Sequence, residues 1–190
     1  MKLDHLIPFP PTIDLGSYCL RPLRLEDAPA WYAYLADPEV TRQTSYNVSS
    51  VNTVENFIAT YLSDYSQRRS SRWALAETDS NQLVGTCGYY SWNPEHSIAE
   101  LGYDLSREYW GKGLMTEAVR AVVRWGFNDV EINRIQATVM AGNAASIRLL
   151  EKCGFQSEGL LREYKICRGE PRDFWMFAQL RADQPVAGVG

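Results

Sequence analysis

The chain has 190 residues, 45% of them hydrophobic and 12% aromatic, which is enough apolar side chain to close one core without help from disulfides or metal. A formal charge of -4 and a pI near 5.3, with no long block of like charge, exclude a nucleic-acid arm and a membrane-binding face; small molecules or peptides are the expected partners. Cys19, Cys87, Cys153 and Cys167 form no Cys-x-x-Cys pair, and His5 and His96 stand at no ligand spacing, so a reduced, cytoplasmic, soluble protein without a structural metal is expected.

The opening "MKLDHLIPFPPTIDLG" lacks the apolar run of a secretory signal, and nowhere do about 18 apolar residues follow one another. One domain is expected from Ile13 to Leu180, with loose ends at 1–12 and 181–190. "YCLRPLRL" reads as the first strand, and Asp27 as the cap of a short helix through "APAWYAYLA" that Asp37-Pro38 ends. A polar loop, "TRQTSYNVSS", follows. From Val51 to Tyr65 the apolar positions 51, 54, 58, 61, 62 and 65 recur at helical spacing and predict a helix with one buried stripe. "RWALAET" and "LVGTCGYYSW" predict a hairpin around "DSNQ". "SIAELGYDLS" is a further strand, whose interior Gly102 marks a bulge or a close approach of backbone.

Met115, Ala118, Val119, Val122, Trp125 and Gly126 then repeat at three and four, so a helix runs to about Asn128. "RIQATVM" is a strand. Asn143 and Ser146 stand at cap and cap-plus-three before "AASIRLLEKC", and Gly154 suits a left-handed stop beyond it. "GLLREYKIC" and "RDFWMFAQL" close the chain as two strands around a turn containing Gly169 and Pro171. About seven strands result, in an α/β arrangement of the α+β type.

The stretch "YWGKGLMTEAV", from Tyr109, places Gly111 and Gly113 just ahead of a helix. Glycines there let backbone N–H groups converge without obstruction, and with the positive end of the helix dipole they form an anion site suited to phosphate. A plain strand-to-helix turn is the alternative. A Walker loop fails, because its first glycine would fall on Ser106 and its Ser/Thr on Gly113. A dinucleotide fingerprint fails too, since Thr116 stands where a third small residue belongs.

"EYWGKGLMTEA", followed after one strand by "NAASIRLLEKCGF", resembles the GNAT superfamily of acyl-CoA-dependent N-acetyltransferases, in its ribosomal-protein N-terminal (RimJ/RimL-like) branch. The similarity extends through "YCLRPLRLEDAPAWYAYLADPEV", "AELGYDLSREYWGKG" and "GFQSEGLLRE". Glu108 departs from the Gln/Arg that opens the superfamily's pyrophosphate pattern, Gln/Arg-x-x-Gly-x-Gly/Ala, so it receives no phosphate role. The resemblance implies a three-layer α/β/α fold whose mixed, mostly antiparallel sheet splays between its fourth and fifth strands, with acetyl-CoA in the gap. It implies that the thioester arm meets the backbone of Leu101, Gly102, Tyr103, Asp104 and Leu105, and the pyrophosphate meets Gly111, Lys112, Gly113, Leu114, Met115 and Thr116. Lys112 either adds charge there or stands solvated at the turn. Asn143 is expected at the pantetheine as well as at the helix cap, and Arg148 and Lys152 either reach the adenosine phosphate or form a solvated face.

Acetyl transfer to an amine needs a neutral nucleophile, a stabilised oxyanion and a leaving thiolate. An α-amine titrates near about 8 and lysine near about 10.4, so a base or a water chain must take a proton. Glu100 is the candidate base, because on an alternating strand it shares a face with Gly102; a solvated or arginine-paired carboxylate is the alternative. Ser146 is the candidate acid toward the thiolate, against a merely structural N3 serine. Trp31, Tyr46, Tyr90 and Trp92 are candidates for the acceptor groove, against simple core packing. Cys87 is read as core, since no histidine is placed to activate it. The leading expectation is an enzyme acetylating a protein N-terminus or a small-molecule amine by direct attack in a ternary complex, with no metal, possibly as a homodimer. A non-catalytic acyl-CoA sensor or interaction module is the alternative.

Overall fold

A computed structural model describes residues 10–42, 44–46 and 48–184. Of the loose ends expected at 1–12 and 181–190, residues 1–9 and 185–190 lie outside the described residues, as do Gln43 and Asn47 of the expected polar loop. Pro11 belongs to the packed structure, its carbonyl accepting a 2.7 Å hydrogen bond from Trp73 Nε1.

Among the described residues eight strands form one sheet. In chain order they are β1 (Ile13–Asp14), β2 (Tyr18–Pro22), β3 (Ser71–Glu77), β4 (Leu83–Asn93), β5 (Ile98–Leu105), β6 (Arg134–Met140), β7 (Gln156–Cys167) and β8 (Glu170–Leu180). Their spatial order is β1-β2-β3-β4-β5-β6-β8-β7, and only the β5–β6 pair is parallel. The strand absent from the sequence reading is β1, which at two residues is too short to show an alternating pattern.

Five α-helices among the described residues cover the sheet: α1 (Ala28–Leu35), α2 (Pro38–Thr41), α3 (Val51–Ser66), α4 (Leu114–Asn128) and α5 (Ala144–Lys152). Alternation along β3 explains the three layers. Ala74 packs with Trp31, Leu35, Val54 and Ile58 of α1 and α3, whereas Trp73 and Leu75 point the other way into the cluster built on α4. The predicted stripe of α4 is buried throughout, with Trp125 edge-on to Trp73 at 4.9 Å between ring centroids.

Four local expectations need correction. Asp27 sits where the cap of α1 was expected, but its carboxylate accepts from Arg21 at 2.7 and 2.8 Å and from the Arg24 backbone N–H, because a buried guanidinium competes better for it than the helix end does. The Asp37-Pro38 pair ends α1 and also starts α2: Asp37 caps it by accepting from Glu39 N, and Pro38 occupies its first turn. Pro171 lies within β8, opposite Ile166 on the edge strand β7, and leaves the tight turn to Arg168 and Gly169. The bulge expected at Gly102 belongs to β4 instead, where Tyr90 is the extra residue between the pairs Tyr89–Leu101 and Ser91–Glu100. Gly102 supplies room for that bulge, since a Cβ there would come within 2.9 Å of the Tyr90 ring.

β5 and β6 pair only from Ile98–Arg134 to Glu100–Gln136. Beyond that point β6 continues alongside β8 while β5 stays with β4, so the sheet opens between Leu101–Leu105 and Ala137–Met140.

Candidate active site

The opening in the sheet is one continuous cavity of about 840 Å³ that reaches both of its faces. At one end Gly111 and Gly113 carry φ values of +75° and +80°, a left-handed conformation that glycine adopts without steric penalty. No side chain caps α4, and nothing lies within 4 Å of where a Cβ at either glycine would be. The first N–H groups of α4 therefore remain available, in a wall formed by Leu114, Met115 and Thr116. Tyr109 fastens this loop to the sheet by donating to Glu77 Oε1 at 2.9 Å and packing edge-on against Tyr18. Lys112 does not line the cavity: its ammonium lies over the Tyr109 ring, 5.1 Å from the centroid, which makes it part of that fastening.

Leu101, Gly102, Tyr103, Asp104 and Leu105 line the middle of the cavity, on the edge of β5 that β6 has left. Asn143, Ser146, Arg148 and Lys152 face it from α5. Asn143 Oδ1 accepts from Ser146 N at 3.1 Å, so the helix cap uses the backbone of Ser146 and leaves its hydroxyl unengaged by the cap. Tyr103 brings a phenol to the same place, 3.5 Å from the Ser146 carbonyl oxygen. Burial raises the Tyr103 pKa, so the group remains a proton donor. Nothing in the local sequence sets it apart from other strand tyrosines; only the placement of α5 does.

Beyond the sheet, toward α1 and α3, the walls are aromatic. Trp31, Tyr46 and Tyr90 line this half, together with Phe57, Tyr61 and Phe174. Trp92 does not: it is 5% exposed and packs edge-on against Trp125 on the α4 side, because the bulge at Tyr90 changes which face the following β4 residues present. The floor is a buried carboxylate. Asp104 receives Arg72 Nη2 at 2.6 Å, the Tyr46 hydroxyl at 2.6 Å, the Thr86 hydroxyl at 2.9 Å and the Tyr34 hydroxyl. Burial first, then the Asp104 charge, pushes Tyr34 and Tyr46 far up, keeping both as phenols that donate to it. With four donors satisfied, Asp104 acts as a structural anchor and offers no free base. The sequence marked Asp104 by its backbone alone, and its donors come from α1, the α2–α3 loop, β3 and β4.

Glu100 is set behind the cavity wall. Its Oε1 accepts from Thr138 Oγ1 at 3.2 Å, and Tyr90 lies beside it, its pKa raised by burial and then by this carboxylate. Thr138 and Tyr90 both line the cavity. Cys87 is wholly buried in the α4-side core, where burial drives its thiol pKa up. All four cysteines are free, no group of three His, Cys, Asp or Glu among the described residues could hold a metal ion, and no described helix is long and apolar enough to cross a membrane.

Comparison with known proteins agrees with this geometry. Residues 18–156 match the family model described as an acetyltransferase (GNAT) domain. An uncharacterized N-acetyltransferase, p20, of Bacillus licheniformis is 37% identical over 166 residues, covering 86% of this chain and 93% of that protein. The [ribosomal protein uS5]-alanine N-acetyltransferase of Escherichia coli is 30% identical over 112 residues, 58% of each chain. The crystal structure of the ribosomal-protein-S5-alanine acetyltransferase of Vibrio fischeri superposes with a TM-score of 0.82 over 93% of this chain and all of that one, at 20% identity. The chain belongs to the GNAT acetyltransferase family, as an acyl-CoA-dependent N-acetyltransferase with relatives named for ribosomal-protein acetylation.

Proposed function

We propose that the protein transfers the acetyl group of acetyl-CoA to a primary amine by direct attack within a ternary complex. The observation that carries this reading is the single cavity through the sheet, with uncapped helix N–H groups at one end and a carboxylate behind two hydroxyls at the other. The fit is good at both ends. The α4 N-terminus suits a pyrophosphate, Arg148 and Lys152 stand on the same side for further phosphate charge, and the freed edge of β5 offers backbone groups to a pantetheine amide. Acetyl-CoA supplies the activated acyl thioester, and the chain's own groups bind, orient and move protons.

Glu100 is the base, reached through a hydroxyl. The incoming ammonium loses its proton to Thr138 Oγ1 or to the Tyr90 phenol oxygen, and that hydroxyl passes its own proton to Glu100. A backbone N–H on the open edge of β5 serves the oxyanion. The departing thiolate takes its proton from Ser146 or Tyr103, which regains one from solvent in the open cavity; α5 and β5 bring these residues together, the Tyr103 hydroxyl lying 3.5 Å from the Ser146 carbonyl oxygen. A thiol titrates near about 8.5, so this last step needs only modest help. A covalent acyl-cysteine route is disfavoured by Cys87, which is buried away from the cavity with its thiol held protonated.

Thiol release from acetyl-CoA, measured with N-terminal peptides, amino acids, polyamines and aminoglycosides, tests the reading. Acceptor-dependent release is expected with at least one class. Tight acetyl-CoA binding with no release for any class would favour the sensor alternative, and parallel double-reciprocal plots would replace the ternary complex with a covalent intermediate.

A further inference from the structure

The charges facing the acceptor half are unevenly used. Asp104 is saturated by its four donors, and Glu39 is bridged to Arg42 at 2.9 Å. Lys165, on β7, lines the same space and has no ion-pair partner within 4.0 Å among the described residues. Three rings surround its ammonium instead: Tyr164 at 5.2 Å, Phe174 at 5.3 Å and Tyr90 at 5.7 Å. Aromatic faces hold a cation in place without cancelling its charge. One hydrogen bond, 3.0 Å to Thr138 Oγ1, fixes the direction of the group, and an ammonium has three donors.

Thr138 is also the residue that reaches Glu100, at 3.2 Å. A carboxylate and an ammonium thus stand on either side of one hydroxyl, with no direct ion pair between them. Such a pair is complementary to a molecule that carries its own ammonium and its own carboxylate on neighbouring atoms, presented in the opposite sense. A polyamine or aminoglycoside would instead bring further positive charges to the Lys165 ammonium, with only Glu100 left to answer them. Trp31, Phe57, Tyr61 and Phe174 add an aromatic surface to the same half.

Resting on the proposed acetyl transfer to an amine, we infer that the acceptor is an α-amino acid zwitterion with an apolar or aromatic side chain, its carboxylate held by Lys165 and its ammonium presented toward Glu100. Lys165 is a specificity-determining residue in this arrangement and takes no part in proton transfer.

The test compares L-phenylalanine with L-phenylalaninamide, L-methionine with L-methioninamide, spermidine, and a tripeptide with a free N-terminal phenylalanine, all at saturating acetyl-CoA. The amides have the less basic amine, so a preference for the acids reflects recognition of the carboxylate. A charge-assisted hydrogen bond predicts kcat/KM about 10-fold or more higher for the acid of each pair. Lys165→Met should bring that ratio toward one by raising the KM of the acid, Lys165→Arg should retain it, and calorimetric acetyl-CoA affinity should be the same in all three proteins. Equal use of acid and amide, a preference for spermidine or the tripeptide, or a Lys165→Met effect equal on both members of a pair would each overturn the inference. So would acetyl-CoA binding with no turnover of either amino acid. Loss of acetyl-CoA binding in the wild-type protein would instead overturn the proposed function itself.

Discussion

The two halves of the cavity are built from different materials. On the α4–α5 side the walls are backbone: left-handed glycines, an uncapped helix end and the unpaired edge of β5, all within Leu101 to Thr116, with one short helix added. On the α1–α3 side they are side chains delivered by α1, the α2–α3 loop, α3, β3, β4, β6, β7 and β8, and held by a buried ion pair between Arg72 and Asp104. A backbone site tolerates changes of side chain and recognises what a family has in common. A side-chain site can be rebuilt one residue at a time, and under the proposed function this is the half that would choose the acceptor.

The largest effect that sharpens this contrast is expected at the anchor of the acceptor half. Asp104→Ala would leave the Arg72 guanidinium, 6% exposed, without its carboxylate and three hydroxyls without an acceptor. Removing one member of a buried pair destabilises by about 3–5 kcal/mol, and urea unfolding measures it. A loss below about 1 kcal/mol would mean that the aromatic half does not depend on this network.

Next in size is the base. Glu100→Gln keeps the shape and removes the basicity, so the chemical step should slow roughly 100-fold. The defect should be greatest at low pH, where the amine arrives protonated, and shrink as pH rises toward the amine pKa of about 8. Single-turnover acetyl transfer from pH 6 to 9 at saturating acceptor measures it; a rate equal to wild type throughout would remove Glu100 from the mechanism.

In the backbone half, Gly113→Val places a branched side chain at φ +80° and in front of the helix N–H groups. Acetyl-CoA affinity should fall on the order of tenfold by calorimetry, with the acceptor half intact. Unchanged affinity in a folded variant would move the pyrophosphate elsewhere.

A smaller effect separates the two hydroxyls at α5. Because Asn143 caps through the Ser146 backbone, Ser146→Ala should leave the melting temperature unchanged, and any turnover loss then reports on the leaving thiolate. Tyr103→Phe is the companion, and the variant with the larger loss in kcat, at constant acetyl-CoA affinity, carries the proton. The smallest effect is an expected absence of reaction: with its thiol pushed up by burial, Cys87 should resist iodoacetamide at pH 8 in the folded protein and react only in denaturant, as read by peptide mass spectrometry.

Much of the fold could be read along the chain because its signals are local. The stripe of α4, the Asn143 cap and the left-handed Gly154 each depend on residues within a few positions, and each stands where the sequence put it. The opening between β5 and β6 also lies where the family resemblance implied. The errors arose where one local signal lost to a contact or an irregularity that the signal itself did not include. Asp27 had a cap to fill, but Arg21 took its carboxylate; Trp92 had the composition of a groove residue, but a single bulged residue turned it to the α4 core.

By itself, then, the sequence determined the glycine turn and its helix, on which the proposed anion site rests, because conformational freedom and helix dipoles are properties of a few consecutive residues. For the aromatic half the sequence offered Trp31, Tyr46 and Tyr90, but the way that half is assembled was decided by the tertiary structure. Arg72, Asp104, Thr138 and Lys165 are ordinary polar residues in their own strands, and they become an anchor and a charged wall only when strands far apart in sequence are brought side by side. Electrostatic and hydrogen-bond interactions depend on distance in space, which the order of residues does not encode directly.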